Sequence, residues 1–235
     1  MPPASARGNV VPGTYPYAVD RRINILMHPF RVEAEALSEP NTRGVALVAG
    51  WPRGQLAPLA SAMTNAGLGA WSLELLTHSE GSMVTETGQS RFALEILAGR
   101  ILVAADWAAT HLPGAASGLT VVGVGPAGPA ALIAASERGT GVRAVVAAAR
   151  RPDLAGAGAL KTVRAAALLL FDESDAEAAE AAARSSMLMG AAARATAVHG
   201  LSDFGVQAAK VVGSMTASWV AQHLSGVVDR PAPGA

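Results

Sequence analysis

The sequence predicts one α/β domain whose sheet is mostly parallel and covered by helices on both faces. Three observations predict it. Short apolar runs, such as VALVA at 45–49 and LLLF at 168–171, alternate with segments of helical periodicity, and such runs suit strands buried on both faces. The chain is 51% hydrophobic, 15% charged and 4% aromatic, so it carries a large core built from Ala, Val and Leu. The stretch TVVGVGPAGPAALIAASER, residues 120–138, passes from a β-branched run through Gly123, Gly125 and Gly128 into an alanine-rich helical pattern. That is a strand, a tight turn and a helix.

In chain order, residues 1–20 carry Pro2, Pro3, Pro12, Gly13 and Pro16 without periodicity and predict a mobile or surface-wrapped arm. The domain then runs over 21–228, and 229–235 form a tail. Ile23 to Met27 and Val32 to Leu37 predict two strands flanking the turn at His28 and Pro29, and Val45 to Ala49 a buried parallel strand. A helix follows over Leu56 to Ala66, then a strand over Ala70 to Leu75 and a polar loop over Thr77 to Gln89, where α/β enzymes build sites. Arg91 to His111 predicts a long helix packed through Phe92, Ile96, Leu97, Val103 and Trp107 and ended by Pro113 and Gly114. After the central unit, Val142 to Ala148, Ala166 to Phe171 and Ala195 to Val198 are further strands, with a helix over Ala176 to Met189 and an amphipathic closing helix from Val211. With 235 residues in one repeating style, a single domain is expected.

Charge and composition exclude several functions. Lys plus Arg and Asp plus Glu number 18 each, which removes an electrostatic case for nucleic acid or an anionic membrane. No cysteine is present, so disulfides, thiol catalysis and thiolate metal sites are excluded. The first residues lack an apolar segment behind a basic start, and the apolar stretch from Val211 contains Gln222 and His223, so a cytoplasmic protein without a membrane span is expected.

The central unit admits three readings. Gly123, Gly125 and Gly128 form G-x-G-x-x-G after a strand, the pattern by which NADP- or flavin-binding domains cradle a pyrophosphate. Against it, several strands precede the motif, and the next strand ends in alanines with no carboxylate for a ribose hydroxyl; only Arg150 and Arg151 follow, which would suit a 2′-phosphate. The same unit is also the nucleophile elbow of α/β-hydrolases, where the attacking side chain sits on the sharp turn. In the third reading the glycines only permit tight strand-to-helix packing.

The second reading gains from its neighbours. The succession RGVALVAG at 43–50, LLTHSEG at 75–81, GQSRFALEI at 88–96, DWAATHLPG at 106–114, VRAVVAAARRPDLAG at 142–156 and ALLLFDESD at 167–175 resembles, in order, the dienelactone-hydrolase-like branch of the α/β-hydrolases. The resemblance covers roughly residues 23 to 225. It implies a single-domain α/β-hydrolase-like fold with a serine at the elbow, an acid after a later strand and a histidine near the C-terminus. Laid on this sequence, it puts Ala127 at the serine position, or Pro126 with the register shifted by one, so neither placement supplies a nucleophile. The acid falls on Asp175. The histidine falls on Asp203 in VHGLSDFG, residues 198–205, or, with a shortened turn, on His199. The histidine-glycine dipeptide often found after the first buried strand is replaced by Gly50-Trp51, which puts the oxyanion hole in question.

The remaining candidates have ordinary structural alternatives. Asp172, Glu173, Asp175 and Glu177 form a carboxylate cluster, but the favoured reading is a helix N-terminus capped by Ser174 or Asp175, and no metal site is expected. His28, His78, His111 and His223 are scattered without ligand spacing. Trp51 either lines a pocket or packs in the core. Arg91 stands where the resembling family has an arginine, as an anion ligand or a helix-start ion pair. The function expected is a hydrolase fold without hydrolysis and without a cofactor, binding a small molecule or a partner. The alternatives are a cyclase or isomerase using Asp175, His199 or Asp203, and a dinucleotide-binding protein.

Overall fold

The computed structural model describes residues 21–27, 30–37, 44–50, 56–76, 91–112, 114–115, 118–137 and 141–224. The expected N-terminal arm, the C-terminal tail, the loop at 77–89, His28, His78 and Trp51 lie outside the described residues.

Eight strands form one sheet: β1 (Arg21–Met27), β2 (Phe30–Leu37), β3 (Val45–Gly50), β4 (Gly69–Glu74), β5 (Leu119–Val124), β6 (Val142–Ala148), β7 (Ala166–Asp172) and β8 (Ala193–Val198). Their order is β1-β2-β4-β3-β5-β6-β7-β8. β1 and β2 are antiparallel, β2 runs antiparallel to β4, and the six strands from β3 to β8 are mutually parallel. The first parallel strand is therefore β3, and the glycine-rich unit on β5 lies in the middle of the sheet. β3 pairs β5 with Ala49 opposite Gly123. β3 and β5 are buried along their whole length because each has neighbours on both sides and helices on both faces.

The helices are α1 (Ala57–Asn65), α2 (Arg91–His111), α3 (Ala127–Glu137), α4 (Ala157–Thr162), α5 (Ala176–Met189) and α6 (Val206–Leu224). Two cores result, one on each face. One joins Leu47, Leu73, Val121, Val145 and Leu169 to α2 and α3; the other joins Val48, Val122, Val146 and Leu170 to α1 and α6. Residues i and i+1 of each strand feed opposite cores, as the period of two requires.

Several details differ from the sequence reading. α3 begins at Ala127, before Pro129, because a proline is compatible with a first helical turn whose N–H has no intrahelical partner anyway. α2 buries Leu94, Leu97, Ala98, Ile101, Ala104, Ala105 and Ala108, while Val103 stays 37% exposed. In this chain alanine faces the sheet, since small side chains let helix and strand approach closely. α4 and the short 3₁₀ turn Pro152–Ala155 have no periodicity long enough to be read from sequence. α6 starts at Val206, five residues before the apolar stretch suggested.

Candidate functional site

Parallel strands end on one edge, so the loops after β3, β5, β6, β7 and β8 gather at the C-terminal edge of the sheet, the usual place for a site in an open α/β fold. Gly50, the turn 125–126, Arg150, the loop 173–175 and the turn 199–204 all follow these strands.

The turn after β5 is a tight strand-to-helix reversal. Its left-handed residue is Gly125, at φ +59°, half-buried, with its N–H donating to the carbonyl of Ala148 on β6 at 2.9 Å. The N–H of Gly128 donates back to the carbonyl of Gly125 at 3.0 Å. A Cβ at position 123 would lie 2.1 Å from the carbonyl oxygen of Ala127, and one at position 128 would lie 2.5 Å from the Cβ of Ala149. These two glycines are fixed by close packing. The expected register put Ala127 at the apex; instead Ala127 is the first residue of α3, 3% exposed and packed in the core beside α2. Pro126 lies in the turn beside the apex and is half-buried. Gly50 ends β3 next to this turn, where a Cβ would sit 3.3 Å from that of Val124 and 2.8 Å from Leu56. Arg91 is the first residue of α2, and its side chain lies outside the described residues.

The loop after β7 is built around carboxylates with separate tasks. Asp172 is 5% exposed and accepts from the hydroxyl of Ser174 at 2.7 Å, from the N–H of Ser202 at 2.7 Å and from the N–H of Ser174 at 3.0 Å. These donors, the Ser174 hydroxyl foremost, hold its carboxyl far below the usual range. Asp175 is the N-cap of α5, accepting from the N–H of Ala178 at 3.0 Å, and its second oxygen receives Nε of Arg150 at 2.6 Å. The Ala178 N–H and then Arg150 depress its pKa. Arg150 also reaches Glu177 at 2.7 Å. Arg151 binds Asp153 through two bonds of 2.9 Å, which raises the guanidinium and lowers the carboxyl.

His199 stands in the turn after β8, with Nδ1 2.6 Å from Oε1 of Glu173. Glu173 is the first cause of its raised pKa. The imidazole is 89% exposed and the Glu173 side chain 51%. Asp203 is exposed on the same turn, and among the described residues it hydrogen-bonds neither His199 nor Asp175. The residue after it, Phe204, is held at φ +41° with its ring buried, a conformation that costs a non-glycine residue about 1–2 kcal/mol. Thus the structure brings together Asp175 with Arg150, and His199 with Glu173, but does not join the acid to the histidine. The sequence reading missed the Asp172–Ser202 link and the His199–Glu173 pair. The Asp172 to Ser174 spacing signals an Asx turn, but nothing local signals Ser202, which meets Asp172 only because β7 and β8 end side by side.

No protein-family model matches the chain. A dienelactone hydrolase from Anabaena variabilis superposes with a TM-score of 0.73, covering 87% of this chain and 97% of that one at 24% identity. The fold is that of an α/β-hydrolase. A dienelactone hydrolase-like promiscuous phosphotriesterase from metagenomic libraries superposes with a TM-score of 0.65 at 15% identity, over 87% of this chain and 98% of its own. Both likenesses support the dienelactone-hydrolase-like form of the α/β-hydrolase fold. By sequence, the chain is 29% identical over 170 residues to proteins of Mycobacterium tuberculosis strains CDC 1551 and H37Rv that bear the provisional name phosphoribosyl transferase. The match takes in 72% of this chain but spans only 37% of those relatives' length. Among the described residues, no helix of this α/β-hydrolase fold is long and apolar enough to cross a membrane, and no three His, Asp or Glu side chains group as metal ligands.

Proposed function

We propose that this chain is a non-hydrolytic protein of α/β-hydrolase fold that holds a small ligand at the C-terminal edge of its sheet. The observation that carries this reading is the disposal of the expected acid and base: Asp175 is spent on a helix cap and Arg150, and His199 is paired with Glu173. An acid engaged by a cap and an ion pair is no partner for a proton-shuttling histidine, and no serine stands on the turn to be activated. Incubation with p-nitrophenyl acyl esters and a fluorophosphonate probe tests it. Turnover and labelling no better than the heat-denatured protein are expected, whereas stoichiometric labelling overturns the reading. Mass spectrometry of small molecules released on denaturing the purified protein then identifies what it carries.

A second reading, an acid/base enzyme such as an isomerase, is favoured by one feature. With Nδ1 held by Glu173, the Nε2 of His199 is directed away from its partner and is oriented as a general base. The dinucleotide reading has less support, since β3 rather than β5 is the first parallel strand and Arg150 is engaged by Asp175 and Glu177. The match spans only 37% of the mycobacterial relatives' length, so their transferase name is not carried to this chain.

A further inference from the structure

We infer that the floor of the ligand site is the turn apex at Gly125, and that it accepts an uncharged group of the ligand and rejects an anion. This rests on the binding reading above, and goes beyond it in naming the contact point and the chemistry.

The apex is open. Gly125 sits at the C-terminal end of the central strand β5, and no described residue comes within 4 Å of a Cβ built on it. Its neighbours in the motif behave in the opposite way, with built Cβ atoms 2.1 Å and 2.5 Å from Ala127 and Ala149. In an elbow the attacking side chain occupies the strained turn residue and points off the sheet. Gly125 has that left-handed turn geometry with no side chain, so among the described residues nothing takes the place of an elbow side chain, and we assign that place to the ligand.

The turn itself is also poor in donors. A strand-to-helix turn binds anions because several backbone N–H groups converge there, and in an elbow the residue after the apex gives the first oxyanion donor. Here that residue is Pro126, which has no N–H. Pro129 has none either. The N–H of Gly125 is used by Ala148, and that of Gly128 by Gly125 itself. Of positions 125–129 only Ala127 keeps an N–H outside these losses. An oxyanion or phosphate placed on this turn would lose its hydration and gain little from the turn's own backbone, whereas a neutral ring or acyl chain would rest on the glycine Cα and the Pro126 ring.

The absence of cysteine gives a direct test. Gly125→Cys, Ala127→Cys and Met187→Cys each carry a single thiol, the last at a position 81% exposed on α5. Alkylation rates with neutral iodoacetamide and anionic iodoacetate are compared. We expect Gly125→Cys to react in the folded protein and Ala127→Cys to be protected until unfolding. The preference for iodoacetamide should be at least roughly threefold greater at 125 than at 187, and adding Pro126→Ala should raise the iodoacetate rate roughly tenfold or more, the worth of one donor to an anion. A Gly125→Cys protein inert to both reagents, or one preferring iodoacetate, overturns the inference. Because a left-handed cysteine could unfold the variant, wild-type protein is also titrated with inorganic phosphate by amide NMR. No saturable shift of the Gly125, Ala127 and Gly128 amides is expected, and a saturable one overturns the inference. These outcomes are separate from ester turnover, which bears only on the binding reading.

Discussion

The carboxylate of Asp172 accepts the backbone N–H of Ser202 at 2.7 Å across 30 residues of sequence, tying the loop after β7 to the turn after β8. That bond helps hold the turn carrying His199 and Asp203 at the sheet edge, together with the Glu173 N–H to the carbonyl of Val198 and the buried Leu201 and Phe204. With Ser174 supplying two more donors, the buried carboxylate has three partners, which explains why it stays charged although buried.

Asp172→Ala should therefore lower the urea midpoint more than Ser174→Ala does, since it leaves the Ser202 N–H without its acceptor. The pH dependence follows from the sign of the shift. The folded pKa lies below the unfolded value of about 3.9, so the contribution is complete above that value and is lost as the pH falls below it. Acid unfolding curves of wild type and Asp172→Asn should converge as pH drops below about 4; curves that stay parallel would show that the carboxylate's charge adds nothing.

The His199–Glu173 pair makes the opposite prediction. Glu173 raises the histidine above its ordinary value near 6.5, so the contribution is full below that value and disappears as pH rises through the raised pKa. Titration of the His199 ring proton by NMR should show a midpoint above 6.5 in wild type and a return toward it in Glu173→Gln. Exposure of both side chains makes the effect on stability small and sensitive to salt.

Glycine substitutions separate packing from backbone conformation. Gly123→Ala places a Cβ 2.1 Å from a backbone oxygen and should cost more than about 3 kcal/mol, abolishing the folded state at moderate urea. Gly125→Ala meets no described atom and should cost only the left-handed penalty of about 1–2 kcal/mol. Equal losses at the two positions would contradict this division.

Reactivation follows the same geometry. Ala127→Ser should remain unlabelled by fluorophosphonate, since residue 127 packs into the core beneath the turn. Combining Ala127→Ser with Asp203→His should remain equally inactive. Gly125→Ser with Asp203→His and Pro126→Ala puts a hydroxyl, a base and a donor around the apex, and weak labelling is expected there first. Labelling of the single Ala127→Ser variant would return the apex to Ala127.

Asp175→Ala removes the α5 cap and the Arg150 pair together, and a melting temperature lower by roughly 2–4 °C is expected. Far-UV circular dichroism on heating reads it, and an unchanged melting temperature would show that Ser174 or water takes over the cap.

The sequence by itself determined the succession of elements and left the turn 123–129 without Ser, Thr or Cys. Short apolar runs such as Val45–Gly50 and Ala166–Asp172 suit strands buried on both faces, and their alternation with helices favours parallel connections. A cap at Ser174 or Asp175 was legible because capping is local, and the structure gives it to Asp175. The tertiary structure alone decided the register of the turn and the pairing of the charges. Gly123 and Gly125 are alike in sequence, and only the approach of Ala127 to one and the positive φ of the other tell them apart. Arg150 finds Asp175, Glu173 finds His199 and Asp172 finds Ser202 across 25 to 30 residues, because β6, β7 and β8 lie side by side and end on one edge. A hydrogen bond reaches about 3 Å, so which acid meets which base is set by strand adjacency, and strand adjacency is a property of the folded sheet.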